Sequence, residues 1–322
     1  MTVVLGDADV RAAFDWATAI DALRAAYAAP ATAAQFPNRT MARGDGHWLR
    51  TLSGSGVGGF MGAKLIAAAL NKRQASYLIP LFDQDTAELV ALLDGGAVTG
   101  YRTAATSALA ADLLADPGSL SVGVVGSGFE AQHHVRALAA VRDLDRVTVF
   151  SPNPESRARF VELLSDLPTT LGSAGSALEV VEAADLVVCA ARSRDETPVM
   201  RGSWLRPGQT VVSIGSTLPE QREVDADTIA RADLLVADQP EEVLTDTGDL
   251  LAAAEAGVVA EAVALADVVR GAAGRATPEQ IVVYKSVGAA VQDLAVAGLC
   301  ARRAIELGLG RPLPVAIDPV SK

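Results

Sequence analysis

Gly126-Ser127-Gly128-Phe129-Glu130-Ala131 forms a G-x-G-x-x-A run. The first glycine permits a tight turn and the second lets the backbone approach a pyrophosphate. The small third residue lets a helix pack close to the strand before it. A helix that opens directly after such a turn offers unpaired N–H groups to phosphate oxygens. Glycines close many strand-helix turns, so the surroundings decide. Here an apolar strand over residues 122–125 precedes the run, a helical pattern over 129–141 follows, and a second strand is predicted at 146–150. Together they read as the βαβ unit of a dinucleotide site, with NAD(H) or NADP(H) as the implied cofactor.

The tip of the second strand bears on which nucleotide binds. NAD-specific sites usually carry an acid there for the ribose 2′-hydroxyl. This chain has Phe150-Ser151-Pro152-Asn153-Pro154-Glu155-Ser156-Arg157, with no acid at the tip. Ser151, Asn153 and Arg157 suit a 2′-phosphate; the alternative is a plain turn with a solvated arginine. NAD against NADP stays open.

Three cations stand out upstream: Arg39 in Pro37-Asn38-Arg39, Lys64 in Gly62-Ala63-Lys64, and Arg102 followed by Thr103 in a segment otherwise rich in alanine. Arginine forks bind carboxylates bidentately, and lysine acts as a point charge or proton donor. Taken singly, each also fits a solvated surface charge.

The elements that must position these residues fall into two patterns. A strand at residues 3–5 leads into two helices, the first with Asp7 as its expected N-cap. Short segments broken by Gly, Asp and Asn run from 35 to 93, ending in two antiparallel strands about a turn at 85–87, and a helix over 100–114 closes at Asp116-Pro117-Gly118. From Leu120 strands alternate with helices, with further apolar strands at 186–190, 211–214 and 234–236, which implies a parallel sheet covered on both faces. A long helix over 287–307 is expected to return to the first domain. The fold class predicted is α/β: a Rossmann doubly wound parallel sheet (residues 117–295) plus a discontinuous α+β substrate-binding and dimerisation domain (1–116 and 296–322).

Composition narrows the partners. The 322 residues carry 27 Lys and Arg against 39 Asp and Glu, a net charge of −12. Such an acidic surface repels nucleic acid and anionic membranes, so neither is expected as a partner. Cys189 and Cys300 sit singly in apolar runs and read as buried free thiols in a reducing, cytoplasmic compartment. The N-terminus lacks the pattern of a signal peptide, and no apolar run is long enough for a membrane span. His133-His134 have no further His or Cys at ligand spacing, so no metal site is expected.

Several short stretches together resemble the ornithine cyclodeaminase/mu-crystallin family over nearly the whole chain. They are Gly62-Ala63-Lys64, Leu81-Phe82-Asp83-Gln84-Asp85-Thr86, Ala91-Leu92-Leu93-Asp94-Gly95, Thr99-Gly100-Tyr101-Arg102-Thr103, the glycine turn, Gly215-Ser216-Thr217-Leu218-Pro219 through Glu223, Lys285-Ser286-Val287-Gly288, and Gln292-Asp293. The resemblance implies that Arg39, Lys64 and Arg102 hold a substrate α-carboxylate against a nicotinamide. It also implies that Ser286, Val287 and Gly288 lie beside the nicotinamide with Thr103 among the cofactor contacts, that Asp293 borders the substrate, and that the protein is a homodimer.

Two departures from the family pattern matter. Cyclodeaminases look like G-x-D-x-P where this chain has Thr217, and a threonine cannot serve as a general base near neutral pH. The resemblance therefore implies hydride transfer between an imino acid and an amino acid rather than ammonia release by cyclisation. A non-catalytic, crystallin-like ligand-binding protein is the remaining alternative. The second departure is His47-Trp48-Leu49-Arg50-Thr51, where an apolar Met-Pro pair is common. Arg50 there suggests a second substrate carboxylate, as in iminosuccinate; otherwise it is a solvated charge.

Overall fold

The computed structural model describes residues 2–193 and 195–320. The chain divides into two compact units, Met1–Thr103 with Ala289–Lys322, and Ala104–Gly288.

The first unit is built on a seven-stranded mixed sheet in the order β15 (Arg311–Pro312), β1 (Val3–Leu5), β6 (Leu89–Asp94), β5 (Gln74–Asp83), β4 (Phe60–Ala69), β3 (His47–Val57), β2 (Thr40–Gly44). Helices α1 (Asp7–Ala13) and α2 (Trp16–Ala28) follow β1, and the start of α3 (Gly95–Leu114) follows β6. The helix cap expected at Asp7 is at Gly6 instead, with Asp9 Oδ2 accepting the Gly6 N–H.

The second unit carries β7 (Leu120–Val125), α4 (Phe129–Ala139), β8 (Leu144–Phe150), α5 (Pro154–Leu163), β9 (Thr170–Ser173), α6 (Ala177–Ala183) and β10 (Leu186–Cys189). It continues through β11 (Thr210–Ser213), α7 (Ala226–Ala230), β12 (Leu234–Ala237), α8 (Pro240–Asp246), α9 (Gly248–Glu255), β13 (Val263–Ala264), α10 (Leu265–Val269) and β14 (Val282–Lys285). The chain then re-enters the first unit with α11 (Ala290–Glu306) and β15 (Arg311–Pro312).

The second unit's eight strands run β13-β12-β14-β11-β10-β7-β8-β9, every neighbouring pair parallel. The stretch from β9 to β14 has the Rossmann order, with its direction of winding reversing between β7 and β10. Residues of β10, β11 and β14 are buried throughout, as strands covered on both faces must be. The protein is an α/β protein of this doubly wound type.

The units part at 103/104 and 288/289, not at the expected 116/117 and 295/296. Beyond Thr103, α3 is tied to the second unit by Ser107–His134 and Arg142–Asp112 contacts. The whole of α11 packs on the first sheet and on α2. Among the described residues, no helix is long and apolar enough to cross a membrane.

Candidate active site

Strand register places Gly126, Ser151 and Ser286, three of the expected cofactor residues, at one edge of the second sheet; Thr103 belongs to the first unit. Phe150, Val125, Cys189, Ser213, Lys285 and Ala237 are successive partners in a single row across the strand ends. Ser151, Gly126, Ala190, Ile214, Ser286 and Asp238 each lie one residue beyond that row. Open parallel sheets bind ligands at this carboxyl edge, at the switch point.

The turn there needs a glycine at 126. Gly126 has φ +114°, and a Cβ on it would lie 2.5 Å from the Ala190 carbonyl oxygen. Gly128, the N-cap of α4, has nothing within 4 Å of where its Cβ would be. The space before the first turn of α4 is therefore open, and the Phe129, Glu130 and Ala131 amides lie at that terminus; these residues fit a pyrophosphate. Ser127 Oγ donates to Ser151 Oγ at 2.9 Å, joining the turn to the tip of β8. Asn153 caps α5, accepting the Glu155 N–H at 2.8 Å, and Arg157 Nη1 donates to the Ser151 carbonyl at 2.6 Å. Thr103 turns its hydroxyl back onto the Thr99 carbonyl at 2.8 Å.

The first unit gathers the cations. Lys64, Ile66 and Ala68 are buried on one face of β4. The pairs Leu52↔Lys64 and Arg50↔Ile66 make Arg50 and Lys64 diagonal neighbours on that face. Against it lies α11. Gly54 and Gly62 are paired across β3 and β4, and a Cβ on either would sit 3.1 Å from Leu294. With no side chains there the helix comes down onto the sheet, bringing Asp293 to 2.8 Å from Lys64 Nζ. The same carboxylate oxygen is 2.9 Å from Arg102 Nε. Arg102 Nη1 donates to Gln292 Oε1 at 2.6 Å, and Gln292 Nε2 donates to the Tyr27 hydroxyl at 2.8 Å.

Arg50, Lys64 and Arg102 are 6%, 1% and 5% exposed, which overturns the reading of each as a solvated charge. Asp293 is the only buried carboxylate in the first unit among the described residues. Burial pushes Lys64 down to about 7, with the Arg102 charge and more weakly that of Arg39 acting the same way and Asp293 opposing. Arg39, half-buried just before β2, is thus close enough for its charge to act on Lys64.

Among the buried acids not assigned from sequence, Asp238 and Glu223 hold loops at this edge. Asp238 accepts the Ser286 hydroxyl at 2.6 Å and the Val287 and Gly288 amides at 3.0 and 2.8 Å, so it shapes the segment expected beside the nicotinamide. Glu223 does the same beyond β10 and β11, accepting from Ala191 N at 3.0 Å and Gly215 N at 2.7 Å. Burial raises it to about 7, against the pull of Lys285 and its hydrogen bonds. An acid directly after an apolar strand (Asp238) or in the loop that follows one (Glu223) was the available signal, but it does not say which amides it meets. Thr217 donates through its N–H and its hydroxyl to Gln221 Oε1, at 2.9 and 3.2 Å.

The ornithine cyclodeaminase/mu-crystallin family model matches residues 62–306. A Delta(1)-pyrroline-2-carboxylate reductase of Paracoccus denitrificans is 38% identical over 227 residues, 69% of this chain and 71% of that protein. The ketimine reductase mu-crystallin of Mus musculus is 33% identical over 231 residues, 72% of this chain and 70% of its own. A solved Thermococcus litoralis Delta(1)-pyrroline-2-carboxylate reductase, in complex with NADH and L-proline, superposes with a TM-score of 0.87 at 26% identity, over 97% of this chain and 100% of that one. The chain belongs to the ornithine cyclodeaminase/mu-crystallin family.

Proposed function

We propose that this protein is an NAD(P)H-dependent imine reductase that interconverts a 2-imino acid and an L-amino acid. The observation that carries the reading is the buried group of Lys64 and Arg102 about Asp293, in a chain whose other unit bears an open glycine turn. Relatives that are pyrroline-2-carboxylate and ketimine reductases support it.

Gly126, Ser127, Gly128 and the first amides of α4 hold the pyrophosphate; Ser151, Asn153 and Arg157 flank the adenosine ribose; Ser286 to Gly288 flank the nicotinamide. Bound NAD(P)H supplies the hydride. Arg102 and Arg39 clamp the substrate carboxylate, which fixes the neighbouring C=N carbon for attack. Gln292 fixes the Arg102 guanidinium and frees it from rotamer choice. Lys64, poised at about 7, holds a proton that it can share with the imine nitrogen near neutral pH. Asp293 keeps that proton on Lys64. Thr217, hydrogen-bonded to Gln221, offers no base, which disfavours a cyclodeaminase-like lyase.

Arg50 extends the reading to the substrate side chain. Arg50 is buried on the sheet face that also bears Lys64, where its guanidinium adds a cation to the one that faces the clamp. An imino dicarboxylate such as iminosuccinate is the proposed class. We further propose a cytoplasmic homodimer; the two cysteines are buried free thiols, as a reducing compartment allows.

The test is oxidation of NADH and NADPH with cyclic imines and with 2-oxo acids plus ammonia or methylamine. Turnover with at least one imine is expected. Binding of either nucleotide with inactivity across the panel would favour a crystallin-like ligand-binding protein.

A further inference from the structure

A second buried charge group lies in the Rossmann unit, and the proposed reaction does not use it. Lys285 at the end of β14 is fully buried, with Nζ 3.0 Å from Asp249 Oδ2 and 3.0 Å from Ser213 Oγ. Ser213 in turn donates to Glu223 Oε2 at 2.6 Å. The same Glu223 oxygen accepts the Ile214 and Gly215 amides at 2.9 and 2.7 Å, while Oε1 accepts the Ala191 amide at 3.0 Å. Asp249 Oδ1 receives the Glu223 amide itself at 2.8 Å. Every one of these donors leaves a strand end or a loop at the carboxyl edge. The groups that face Glu223 are Lys285 from β14, Asp249 from α9 and Cys189 from β10.

A buried carboxylate with four donors is costly to assemble as a mere brace, since apolar packing fills such a space more cheaply. Its placement gives it a further consequence. The Ala190 carbonyl is what the Gly126 turn packs against, and Glu223 fixes the very next amide. The loop beyond β10 therefore cannot shift toward the turn, or away from it, without breaking the Glu223 contact. Gly215 is held equally closely, its absent Cβ falling 2.4 Å from Glu223 Oε1.

We propose that Glu223, anchored to Lys285 through Ser213, is a positioning residue for the dinucleotide, holding the loops beyond β10 and β11 at the spacing the glycine turn requires. This rests on the reading of that turn as a nicotinamide dinucleotide site. Glu223 does not touch the reacting atoms; it acts through Ala191, Ile214 and Gly215. Dinucleotide affinity, more than turnover by the loaded enzyme, should therefore depend on it.

The test is fluorescence titration of NADH and NADPH into the purified full chain and its Glu223→Gln and Ser213→Ala variants, with thermal melts alongside. Glu223→Gln leaves Lys285 and Asp249 as a balanced pair, but its single carbonyl oxygen serves either Ala191 or the Ile214–Gly215 amides, not both. Its Kd is expected to rise about tenfold or more, and that of Ser213→Ala about threefold, with kcat at saturating cofactor held within about threefold. A folded Glu223→Gln protein whose Kd stays within about twofold of wild type overturns the proposal. If that variant does not fold, Ser213→Ala decides: a Kd unchanged to within about 1.5-fold overturns it. Failure of the wild type to bind either nucleotide overturns the dinucleotide reading itself, and this inference with it.

Discussion

Lys64 and Asp293 stand 229 residues apart in sequence and 2.8 Å apart in the fold, and Arg102 shares the same carboxylate oxygen. Removing that charge strands two buried cations. Breaking one partner of a buried pair costs about 3–5 kcal/mol, and Asp293→Asn, which keeps an oxygen acceptor, is expected to lose about 3 kcal/mol of unfolding free energy. Because the clamp loses its geometry too, kcat/KM for the imine should fall about a hundredfold or more. Urea denaturation and steady-state kinetics on one preparation measure both. A stable variant with full activity would remove Asp293 from the site.

The same pair sets a pH dependence. Burial holds Lys64 at about 7 in the folded chain, well below the ordinary lysine value of 10.5. Between these values the unfolded chain holds the proton and the folded chain does not, so this group's contribution to stability rises with pH there and is lost as pH falls through 7. Activity runs the opposite way: the protonated amine clamps the carboxylate and holds the transferable proton, so kcat/KM should decline on a single limb above about pH 7. Asp293 raises the Lys64 value, so in Asp293→Asn the limb should move to lower pH. A profile whose limb stays in place in that variant would assign it to another group.

What was legible in the sequence was what is local. The Gly126 turn is written in six consecutive residues, because a positive φ and a close backbone approach need glycine at fixed places. Lys64 and Arg102 were visible as cations, but their burial was not. It depends on Gly54 and Gly62 being paired across two strands and on α11 settling over them from the far end of the chain. The strands β3 and β4 themselves were hidden, since Ser53-Gly54-Ser55-Gly56 reads as a loop when its packing partner is unknown. Glu223 and Asp238 were invisible as positioning groups for a related reason. Their amide partners are fixed by the register of parallel strands, and a single sequence does not contain that register.

The outer face of the first sheet exposes apolar side chains in one patch. Leu49 pairs with Ala67 and Leu65 with Leu78, and Leu49 and Leu78 are 46% and 42% exposed. If the two copies in the proposed homodimer meet on this face, charged substitution there separates them without disturbing Lys64, which faces inward. Light scattering is expected to find a dimer of the 33.1 kDa chain, and a monomer for the Leu49→Glu, Leu78→Glu variant. A dimer for both proteins would place the contact elsewhere, and a monomeric wild type would overturn the homodimer.

Arg157 tests the nucleotide. Its Nη1 is bound to the Ser151 carbonyl, which fixes the guanidinium at the tip of β8. A 2′-phosphate placed there would gain a charge-assisted hydrogen bond, worth about tenfold or more in affinity. Arg157→Ala should therefore weaken NADPH by about tenfold and leave NADH within about twofold. An unchanged preference would mean that the tip reads the ribose without its phosphate.

Arg50 carries the last prediction, on substrate choice. Its burial beside Trp48, with the guanidinium 5.2 Å from the ring, fixes it on the face that also bears Lys64. If it receives the side-chain carboxylate of an imino dicarboxylate, it contributes to one substrate and not to its short analogue. Losing a charge-assisted bond of this kind costs about 2–3 kcal/mol. Arg50→Ala should accordingly lower kcat/KM for iminosuccinate by about thirtyfold to a hundredfold while changing that for the imine of pyruvate by less than about threefold. The ratio between the two substrates matters more than either rate. General loosening of β3 would depress both alike, whereas loss of a specific partner depresses one. An equal fall for both imines, or a wild type with no preference between them, would sink the dicarboxylate reading and leave the clamp about Asp293 intact.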